Sequence, residues 1–268
     1  MEDNLFFCIM TENWNTSFRR EMDNYLPSAS IDLVIFGFHE NQLKILLLKN
    51  KDKTSWSLPG GFIYKTESLE AAAKRILSER TGLNEIFLQQ FHVFGDPERT
   101  KENNRSGLLE EQIGNDEVAL EIKEWILGRF ITVGYYALLE FTEVQTRPDI
   151  FSLACSWHDH NSLPALISDH GQIISSALST LRQHLNYQPV GMNLLPKEFT
   201  MPELLRLYET ILGKSLDRRN FQRKMLSYHI LERLPEKRTG GAFKAPYLYR
   251  FNEDNYQQAL QNGLKDLW

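Results

Sequence analysis

The chain has 268 residues, of which 42 % are hydrophobic and 24 % are charged. These values exclude collagen-like, coiled-coil and disordered chains and suit two modest globular domains. No run approaches the roughly 18 consecutive apolar residues of a membrane-spanning helix, and the acidic opening MEDN lacks the basic residues of a signal peptide, so we expect a cytoplasmic protein without a membrane partner. Cys8 and Cys155 lie far apart without C-x-x-C spacing, which predicts two buried thiols rather than a disulfide or a zinc site.

The net charge of −5 is divided unevenly along the chain. Residues 189–251 contain twelve Lys or Arg against six Asp or Glu, so this segment carries +6 and the remainder carries −11. Such an asymmetry indicates one domain that contacts a polyanion and another with a different task. Pro189, Val190 and Gly191 interrupt the helical pattern at the start of the basic segment, so we divide the chain into domains at 28–187 and 189–255.

The first half of the chain predicts a mixed α/β domain. In chain order the pattern predicts a short helical lead-in, a β-hairpin, a Pro-Gly-Gly loop, a helix, three strands and a final helix. These elements correspond to residues 1–27, 31–49, 56–62, 67–80, 86–94, 129–141, 151–158 and 163–185. Between the first two of those strands, residues 97–128 form a long insertion with a polar part and a helical pattern, which is either a lid over a pocket or a surface excursion.

A spaced motif covers the predicted helix and the loop before it. Gly61, Glu67, Arg75, Glu79 and Gly82 stand at the spacing of the Nudix box, and the first domain resembles a Nudix domain over roughly residues 28–170. The resemblance implies an α+β chain whose first domain is a Nudix-type α/β/α sandwich. It also implies that the box forms a loop-helix-loop over a Mg²⁺-bound diphosphate.

The box departs from the family pattern where the metal would be held. The family core reads Arg-Glu-apolar-x-Glu-Glu, whereas residues 75–80 read Arg-Ile-Leu-Ser-Glu-Arg. Mg²⁺ requires oxygen ligands, yet Ile76 removes a donor and Arg80 places a positive charge on the same helical face. We therefore expect no metal, no cofactor and no catalytic residue, with Glu79 paired to Arg75 instead.

Two functions remain open for this domain. The first is a non-catalytic Nudix fold that binds a small molecule. Gly61, Gly82 and Glu67 then serve the fold, because a tight loop needs a positive φ and a carboxylate can tie that loop to the helix. The second is a Mg²⁺-dependent pyrophosphohydrolase with an accessory domain, which would retain some turnover.

The second domain begins with a strong helix-start signal. Thr200 and Glu203 form the pattern of a capping box, and Pro202 lies in the first turn. Apolar residues at helical spacing follow as far as Gly213, and a second helix begins after Asp217. Two strands joined by a basic Gly-Gly link complete the sequence pattern of a winged helix-turn-helix domain.

Basic residues gather on the second helix and on the hairpin. Arg pairs with guanine, Asn pairs with adenine, and Lys and Arg bind phosphates, so this pattern favours double-stranded DNA as the partner. A solvated basic face or a protein-interaction module is the alternative. The residues that we assign to DNA are Arg218, Arg219, Asn220, Arg223, Lys224, Lys237, Arg238 and Lys244.

Together the two halves resemble the bacterial Nudix-related transcriptional regulators, which include NAD-metabolism repressors that sense ADP-ribose and arabinose-responsive regulators. The similarity extends from about residue 28 to residue 251 and is dense in GMNLLPKEFTMPELLRLYETILGKSLDRRNFQRKML, residues 191–226. The resemblance implies a homodimer on a partly palindromic operator. It also implies that an effector in the Nudix pocket alters the spacing of the two winged helices.

The effector is either a sugar such as a pentose or ADP-ribose. Loss of the acidic metal ligands favours a neutral ligand, whereas non-hydrolysing relatives bind ADP-ribose without catalysis. Five residues lie in segments that can line a Nudix pocket and are predicted to contact the effector: Asp32, Phe62, His92, Asp96 and Tyr135. His92, taken alone, is better explained as a core histidine.

Overall fold

The computed structural model describes residues 14–51, 54–83, 87–99, 116–141, 147–148, 152–238 and 245–264. The helices in these ranges are α1 (Trp14–Met22), α2 (Leu69–Thr81), α3 (Glu117–Leu127), α4 (His170–His184), α5 (Met201–Leu212), α6 (Arg218–Ser227) and α7 (Glu253–Asn262). The strands are β1 (Tyr25–His39), β2 (Gln42–Asn50), β3 (Trp56–Ser57), β4 (Gly60–Tyr64), β5 (Leu88–Phe94), β6 (Ile131–Glu140), β7 (Ser152–Asp159), β8 (Phe199–Thr200), β9 (Leu231–Lys237) and β10 (Tyr247–Phe251). None of these helices is long and apolar enough to cross a membrane.

Strands β1 to β7 form one mixed sheet centred on β1. β1 pairs antiparallel with β4 and β2 along one edge and parallel with β6 along the other. β5 extends the sheet beyond β6, while β7 and β3 pair with β2. The residues of β1 and β6 are largely apolar because both faces of these central strands are covered.

Helices cover the two faces of this sheet. α2 packs on one face, where Ile31 and Leu33 of β1 meet Ile76 of the helix in one buried cluster. α4 packs on the opposite face, which carries Val34 and Phe36. The result is the predicted α/β/α sandwich, and the alternation along β1 decides which side chains face which helix.

The last helix of the first domain is shorter than predicted. α4 begins at His170 rather than near residue 163, because Ser168 has a φ of 50° and cannot continue a right-handed helix. The backbone before it pairs with β3 instead. The Trp56 N–H donates to the carbonyl of Ala165 at 2.9 Å, and the Ile167 N–H donates to the carbonyl of Trp56 at 3.0 Å.

Two further predictions concern the insertion and the cysteines. The helical pattern in residues 97–128 is confirmed as α3, whereas residues 100–115 lie outside the described ranges. Cys155 is buried in β7, as predicted. Cys8 lies outside the described ranges.

The second half of the chain forms a winged helix. α5 ends at Gly213, whose φ of 67° places it in the left-handed region that stops a helix, and α6 follows after a short turn. β8, β10 and β9 form an antiparallel sheet in that order, with β9 and β10 as the wing. α7 then packs back, with Tyr256 buried.

The sandwich and the winged helix share one buried core. Leu43 of β2, Leu181 of α4 and Ile211 of α5 belong to the same hydrophobic cluster. Two polar contacts also cross the junction: the Arg182 Nε donates to the carbonyl of Ile211 at 2.7 Å, and the Thr210 hydroxyl donates to the carbonyl of Asn41 at 3.2 Å. The two parts are therefore packed against each other over an apolar surface.

The backbone that joins the two parts is held by buried tyrosines. The Tyr256 hydroxyl donates to the carbonyl of Pro189 at 2.9 Å, and the Val190 N–H donates to the Tyr208 hydroxyl at 3.3 Å. Burial raises the pKa of both tyrosines, so both stay protonated at neutral pH. Residues 189–190 are thus bonded to the winged helix rather than left as a free linker.

Candidate nucleic-acid interface and ligand site

The first helix of the helix-turn-helix is fixed at its start by the predicted capping box. The Glu203 N–H donates to the Thr200 hydroxyl at 3.4 Å, and the Thr200 N–H donates to the Glu203 carboxylate at 2.6 Å. Phe199 and Leu204, on either side of the cap, are fully buried. The box satisfies orphan N–H groups and sets the direction in which α5 leaves the sheet.

The second helix, α6, presents a polar face to solvent. Asp217 caps it by accepting from the Asn220 N–H at 2.8 Å, while Phe221 and Met225 are buried against the rest of the domain. This anchoring leaves four of the assigned DNA contacts exposed along one side of the helix. They are Arg218, Arg219, Asn220 and Arg223.

Two of these exposed side chains are bonded to each other. The Arg223 guanidinium donates to the Asn220 side-chain oxygen at 3.0 Å, one turn apart on α6. Lys224, the fifth residue assigned to this helix, is half-buried, with its ammonium 6.0 Å from the Tyr228 ring centroid. The row that α6 offers to a partner therefore consists of Arg and Asn rather than Lys.

The wing adds positive charge at the end of β9. Lys237 is exposed, and its ammonium lies 4.7 Å from the ring centroid of Tyr247 in β10. Arg238 is also exposed, but it donates to the carboxylate of Glu203 at 3.0 Å, so it is already paired with the capping box. Lys244, the third residue assigned to the wing, lies outside the described residues.

Arg233 is a further basic residue of the wing that the sequence pattern did not lead us to assign to DNA. The guanidinium of Arg233 lies 3.5 Å from the ring centroid of Tyr247, within the distance range of a cation–π contact. Arg233 and Tyr247 lie on the paired strands β9 and β10. The signal was present in the sequence, because basic and aromatic residues stand on the two predicted strands of one hairpin.

At the Nudix box a single guanidinium binds both remaining carboxylates. Arg75 donates to Glu67 through Nη2 at 2.6 Å and Nε at 3.1 Å, and to Glu79 through Nη1 at 3.2 Å. The Tyr64 N–H also donates to Glu67, at 2.8 Å, so this carboxylate ties the loop to the helix as predicted. Burial favours a higher pKa for Glu67, but these hydrogen bonds outweigh it and lower the pKa.

The glycines of the loop are required for space rather than for a positive φ. Gly60 and Gly61 lie in β4, and neither has a positive φ, so the predicted conformational role is wrong for Gly61; Gly82 does have one, 71°. A Cβ on Gly60 would lie 2.7 Å from the Ile31 carbonyl oxygen. A Cβ on Gly61 would lie 3.0 Å from Ile76, which fills the core at this point.

The residues of the box do not fit a Mg²⁺ site. Ile76 is buried, Glu67 and Glu79 are both bonded to Arg75, and the Arg80 guanidinium stands 3.7 Å from Glu79. Within the described ranges, no group of three or more His, Cys, Asp or Glu is placed to hold a metal ion. A dication would have to displace guanidinium groups from both carboxylates, and it would gain few oxygen ligands in return.

The five residues assigned to the effector do not converge. Asp32 faces α4 and is mostly buried, whereas Tyr135 belongs to the cluster on the α2 face, where its hydroxyl donates to Gln90 at 3.3 Å. Phe62 packs in an aromatic group with Trp125 of α3, at a centroid distance of 4.5 Å. A ligand on one face of the sheet therefore contacts only some of the five.

The other two lie at the edge of the sheet. His92 is exposed on β5, which corrects its interpretation as a core histidine; β5 is at the end of the strand order, so it has a neighbouring strand on one side only in the described sheet. Asp96 is exposed beyond the end of β5, and its carboxylate accepts from the Glu98 N–H at 2.8 Å.

A buried ion cluster surrounds Asp32 and was not anticipated from the sequence. Arg99 donates to Asp169 through two nitrogens, at 2.8 and 2.9 Å, and its Nη2 lies 3.6 Å from Asp32. Its side chain is 5 % exposed. Burial opposes the charged guanidinium, but the bonds to Asp169 and the charge of Asp32 outweigh it and raise the pKa of Arg99. No local sequence signal could have found this cluster, because its members lie about 70 positions apart.

Comparison with known proteins agrees with both halves of the fold. The family model of the NUDIX domain matches residues 27–175, and the model of the NrtR DNA-binding winged helix domain matches residues 191–251. The ADPR responsive transcriptional repressor NtrR of Acinetobacter baylyi is 28 % identical over 237 residues, which cover 86 % of this chain and 84 % of that protein.

Of two further relatives, one was solved in complex with DNA and the other is an enzyme. The crystal structure of Shewanella oneidensis NrtR complexed with a 27mer DNA is 28 % identical, covers 85 % of this chain and 95 % of its own, and superposes with a TM-score of 0.66. An ADP-ribose pyrophosphatase of Methanocaldococcus jannaschii is 32 % identical over 84 residues, 30 % of this chain and 50 % of that enzyme. The chain belongs to the Nudix family and is homologous to the transcriptional repressor NrtR, with a C-terminal winged helix domain of the NrtR type.

Proposed function

We propose that the chain is a transcriptional regulator that binds operator DNA through α6 and the wing and responds to ADP-ribose in a non-catalytic Nudix domain. The observation that carries the proposal is the exposed row on α6, with Arg219, Asn220 and Arg223 held outward by two buried anchors on the opposite side. Arg and Asn side chains suit guanine and adenine edges in the major groove, and the basic wing suits the phosphates.

ADP-ribose is preferred over a pentose as the effector. The Acinetobacter relative covers most of this chain and is named for its response to ADP-ribose. The loss of metal-binding carboxylates is the feature that favours a neutral sugar. That loss bears on hydrolysis rather than on binding: Arg75 and Arg80 balance the charges of Glu67 and Glu79, so these four residues present no net negative charge to a diphosphate.

The Nudix domain is proposed to bind without turnover. Hydrolysis of a diphosphate in this family pattern needs a metal ion to activate water and to neutralise developing charge. Glu67 and Glu79 are both bonded to Arg75, and Ile76 stands at the position of a further carboxylate. The box thus offers neither a ligand set nor a free general base.

We further propose that two copies bind one operator. Helix-turn-helix proteins gain affinity and specificity by placing two recognition helices in successive turns of the major groove, so half-sites should lie a whole number of helical turns apart. Analytical ultracentrifugation with and without duplex tests this point. A single copy on the full operator at saturation contradicts it.

The decisive experiment is fluorescence anisotropy with a labelled duplex from upstream of the chain's own gene, with a scrambled duplex as the control. ADP-ribose, arabinose and other pentoses are titrated separately at two salt concentrations. We expect specific binding that weakens steeply with salt and that ADP-ribose alone alters. No preference for the upstream duplex over the scrambled one contradicts the proposal.

A matched pair of variants localises the interface. Arg219→Ala, on α6, should weaken operator binding by about 1–3 kcal/mol, or roughly 5- to 150-fold, and reduce the salt slope. Arg250→Ala removes an exposed arginine of the same domain that is paired with Glu232 at 2.7 Å, and it should change affinity little. Equal losses in the two variants would remove the special role of α6.

A second candidate function is supported by the pyrophosphatase relative, which matches part of the Nudix region. It predicts Mg²⁺-dependent release of AMP from ADP-ribose, abolished by Glu79→Gln. The regulator proposal predicts no AMP release above background from either protein. Chromatographic assay of both proteins with Mg²⁺ separates the two functions.

A further inference from the structure

α4 contacts both the sheet of the first domain and the winged helix. At its C-terminal end the Arg182 Nε donates to the carbonyl of Ile211, in the last turn of α5, at 2.7 Å. Leu181 and Ile211 are buried in the same cluster, so the contact combines a hydrogen bond with apolar packing. α5 is the first helix of the helix-turn-helix, and it packs against α6 through Tyr208 and Phe221.

The N-terminal end of α4 is held by the ion cluster around Arg99. Asp169 occupies the N-cap position but makes no capping bond, because both of its oxygens accept from Arg99, at 2.8 and 2.9 Å. The same guanidinium stands 3.6 Å from Asp32 and donates to the carbonyl of Phe130 at 3.3 Å. Arg99 thereby joins β1, the residue before β6 and the start of α4 at one buried point.

The segment before β4 is hydrogen-bonded to the same end of α4. The Leu58 N–H donates to the Nδ1 of His170, the first residue of α4, at 2.9 Å, and both residues are buried. Two residues further along, at the start of β4, Gly60 packs so closely on Asp32 that an added Cβ would lie 2.7 Å from the Asp32 Oδ1. A ligand that shifts Asp32 or this segment therefore acts directly on the start of α4.

Breaking one ion pair of the cluster leaves another buried charge unbalanced. The cluster contains two carboxylates and one guanidinium, so any separation of Arg99 from Asp169 leaves a buried carboxylate without its partner. Displacement of Arg99 is therefore expected to carry Asp169 with it. α4 has 15 residues, which gives a stiff rod of about 22 Å at 1.5 Å per residue, long enough to pass that displacement to Ile211.

We propose that Arg99 is a positioning residue that couples effector binding in the Nudix domain to operator binding, acting through α4 on the first helix of the helix-turn-helix. The inference rests on the proposed function, because it names the path by which that site would regulate DNA binding. It assigns no contact between Arg99 and the effector. Coupling is a measurable free energy, so the path can be tested from both ends of α4.

The test measures three quantities for each variant. They are the operator dissociation constant without ADP-ribose, the same constant with saturating ADP-ribose, and the ADP-ribose dissociation constant without DNA by calorimetry. The ratio of the two operator constants reports coupling, whereas the separate affinities report each site. A residue needed only for the fold would lower both affinities or neither, and it would not change the ratio alone.

Arg99→Lys keeps the charge but loses the bidentate hydrogen bond to Asp169. Arg182→Met removes the hydrogen bond to the Ile211 carbonyl at the other end of α4. Arg129→Lys is the control, since its guanidinium is exposed and donates to the Gly95 carbonyl at 2.9 Å, away from α4. We expect a wild-type ratio of about 5 to 150, which should fall to about 1–3 in both test variants and stay unchanged in the control.

The outcomes separate the inference from the function on which it rests. If the wild-type chain binds no operator or ignores ADP-ribose, the proposed function has failed and the coupling path with it. If the wild type responds and both test variants keep its ratio, the function stands and the path through α4 is refuted. If Arg99→Lys does not fold, as judged by circular dichroism, Arg182→Met decides alone: a wild-type ratio refutes the path, and a collapsed ratio supports it.

Discussion

Removal of one hydroxyl should measurably loosen the junction between the sandwich and the winged helix. Tyr256 is 5 % exposed, and its hydroxyl donates to the carbonyl of the buried Pro189 at 2.9 Å. Tyr256→Phe keeps the ring and its packing but leaves that carbonyl buried without this donor. Loss of one partner of a buried hydrogen bond costs about 1–3 kcal/mol. For a chain of this size, that free energy corresponds to a fall in Tm of roughly 2–12 °C.

Two further variants set the scale of this effect. Tyr208→Phe removes the longer bond at the same junction, 3.3 Å from the Val190 N–H, so its Tm should fall less than that of Tyr256→Phe. Tyr187→Phe is the control, because Tyr187 is 37 % exposed and lies on the same stretch of backbone. Its Tm should stay within about 2 °C of the wild type.

Thermal unfolding followed by circular dichroism and by tyrosine and tryptophan fluorescence provides the measurement. Because one buried cluster runs from β2 through α4 to α5, both signals should report a single transition. The reasoning is refuted if Tyr256→Phe melts at the same temperature as the Tyr187→Phe control. Two separate transitions in the wild type would refute the continuous core.

Three further expectations concern the box and the wing. Gly60→Ala should destabilise the chain by about 1–3 kcal/mol in urea unfolding, because the added Cβ would lie 2.7 Å from the Ile31 carbonyl oxygen. Gly95→Ala is the control and should be near neutral, because its Cβ would lie 3.7 Å from the nearest atom; equal effects would contradict the steric explanation. The lowered pKa of Glu67 means that the folded chain binds fewer protons there than the unfolded chain, so its contribution to stability is present above about pH 4.3 and is lost as the pH falls. Unfolding measured between about pH 5 and pH 3 should therefore depend less on pH in Glu67→Gln, and identical pH profiles would count against the Arg75 bonds as the cause. Lys237→Ala should reduce the salt slope of operator binding by about one while leaving sequence preference intact, and a changed preference would show that Lys237 reads bases.

The parts of the fold that the sequence predicted are those specified by neighbouring residues. Thr200 with Glu203, and Asp217 with Asn220, are caps closed within three positions of the chain, and both appeared where the pattern placed them. The Arg75–Glu79 pair on α2 is likewise one turn apart. Such signals need no knowledge of the tertiary fold.

The parts of the fold that could not be predicted from the sequence depend on contacts between distant segments. α4 starts late because Ser168 turns the chain toward β3, and β3 lies more than a hundred positions earlier. The exposure of His92 depends on β5 being an edge strand, which periodicity cannot reveal. Gly61 was assigned a conformational role, yet its neighbour Ile76 is what excludes a side chain there.

The site was accordingly predicted in pieces. On α6 the Arg and Asn residues assigned from the sequence are exposed, while Phe221 and Met225 are buried, because one amphipathic helix carries both faces. In the first domain the same approach chose Asp32 and Tyr135 together, although strand alternation and pairing place them on opposite faces of the sheet. The partner that defines Asp32 is Arg99, which comes from another segment.

The N-cap of α4 has a consequence for the order of folding. Asp169 gives its carboxylate to Arg99, 70 positions earlier in the chain, and so leaves its own helix without the local bond that starts most helices. A helix that lacks its nucleating cap forms slowly alone, since its first turn is ordered only after a long loop has closed. In refolding followed by hydrogen exchange, the first turn of α4 should therefore gain protection together with β5 and after α5.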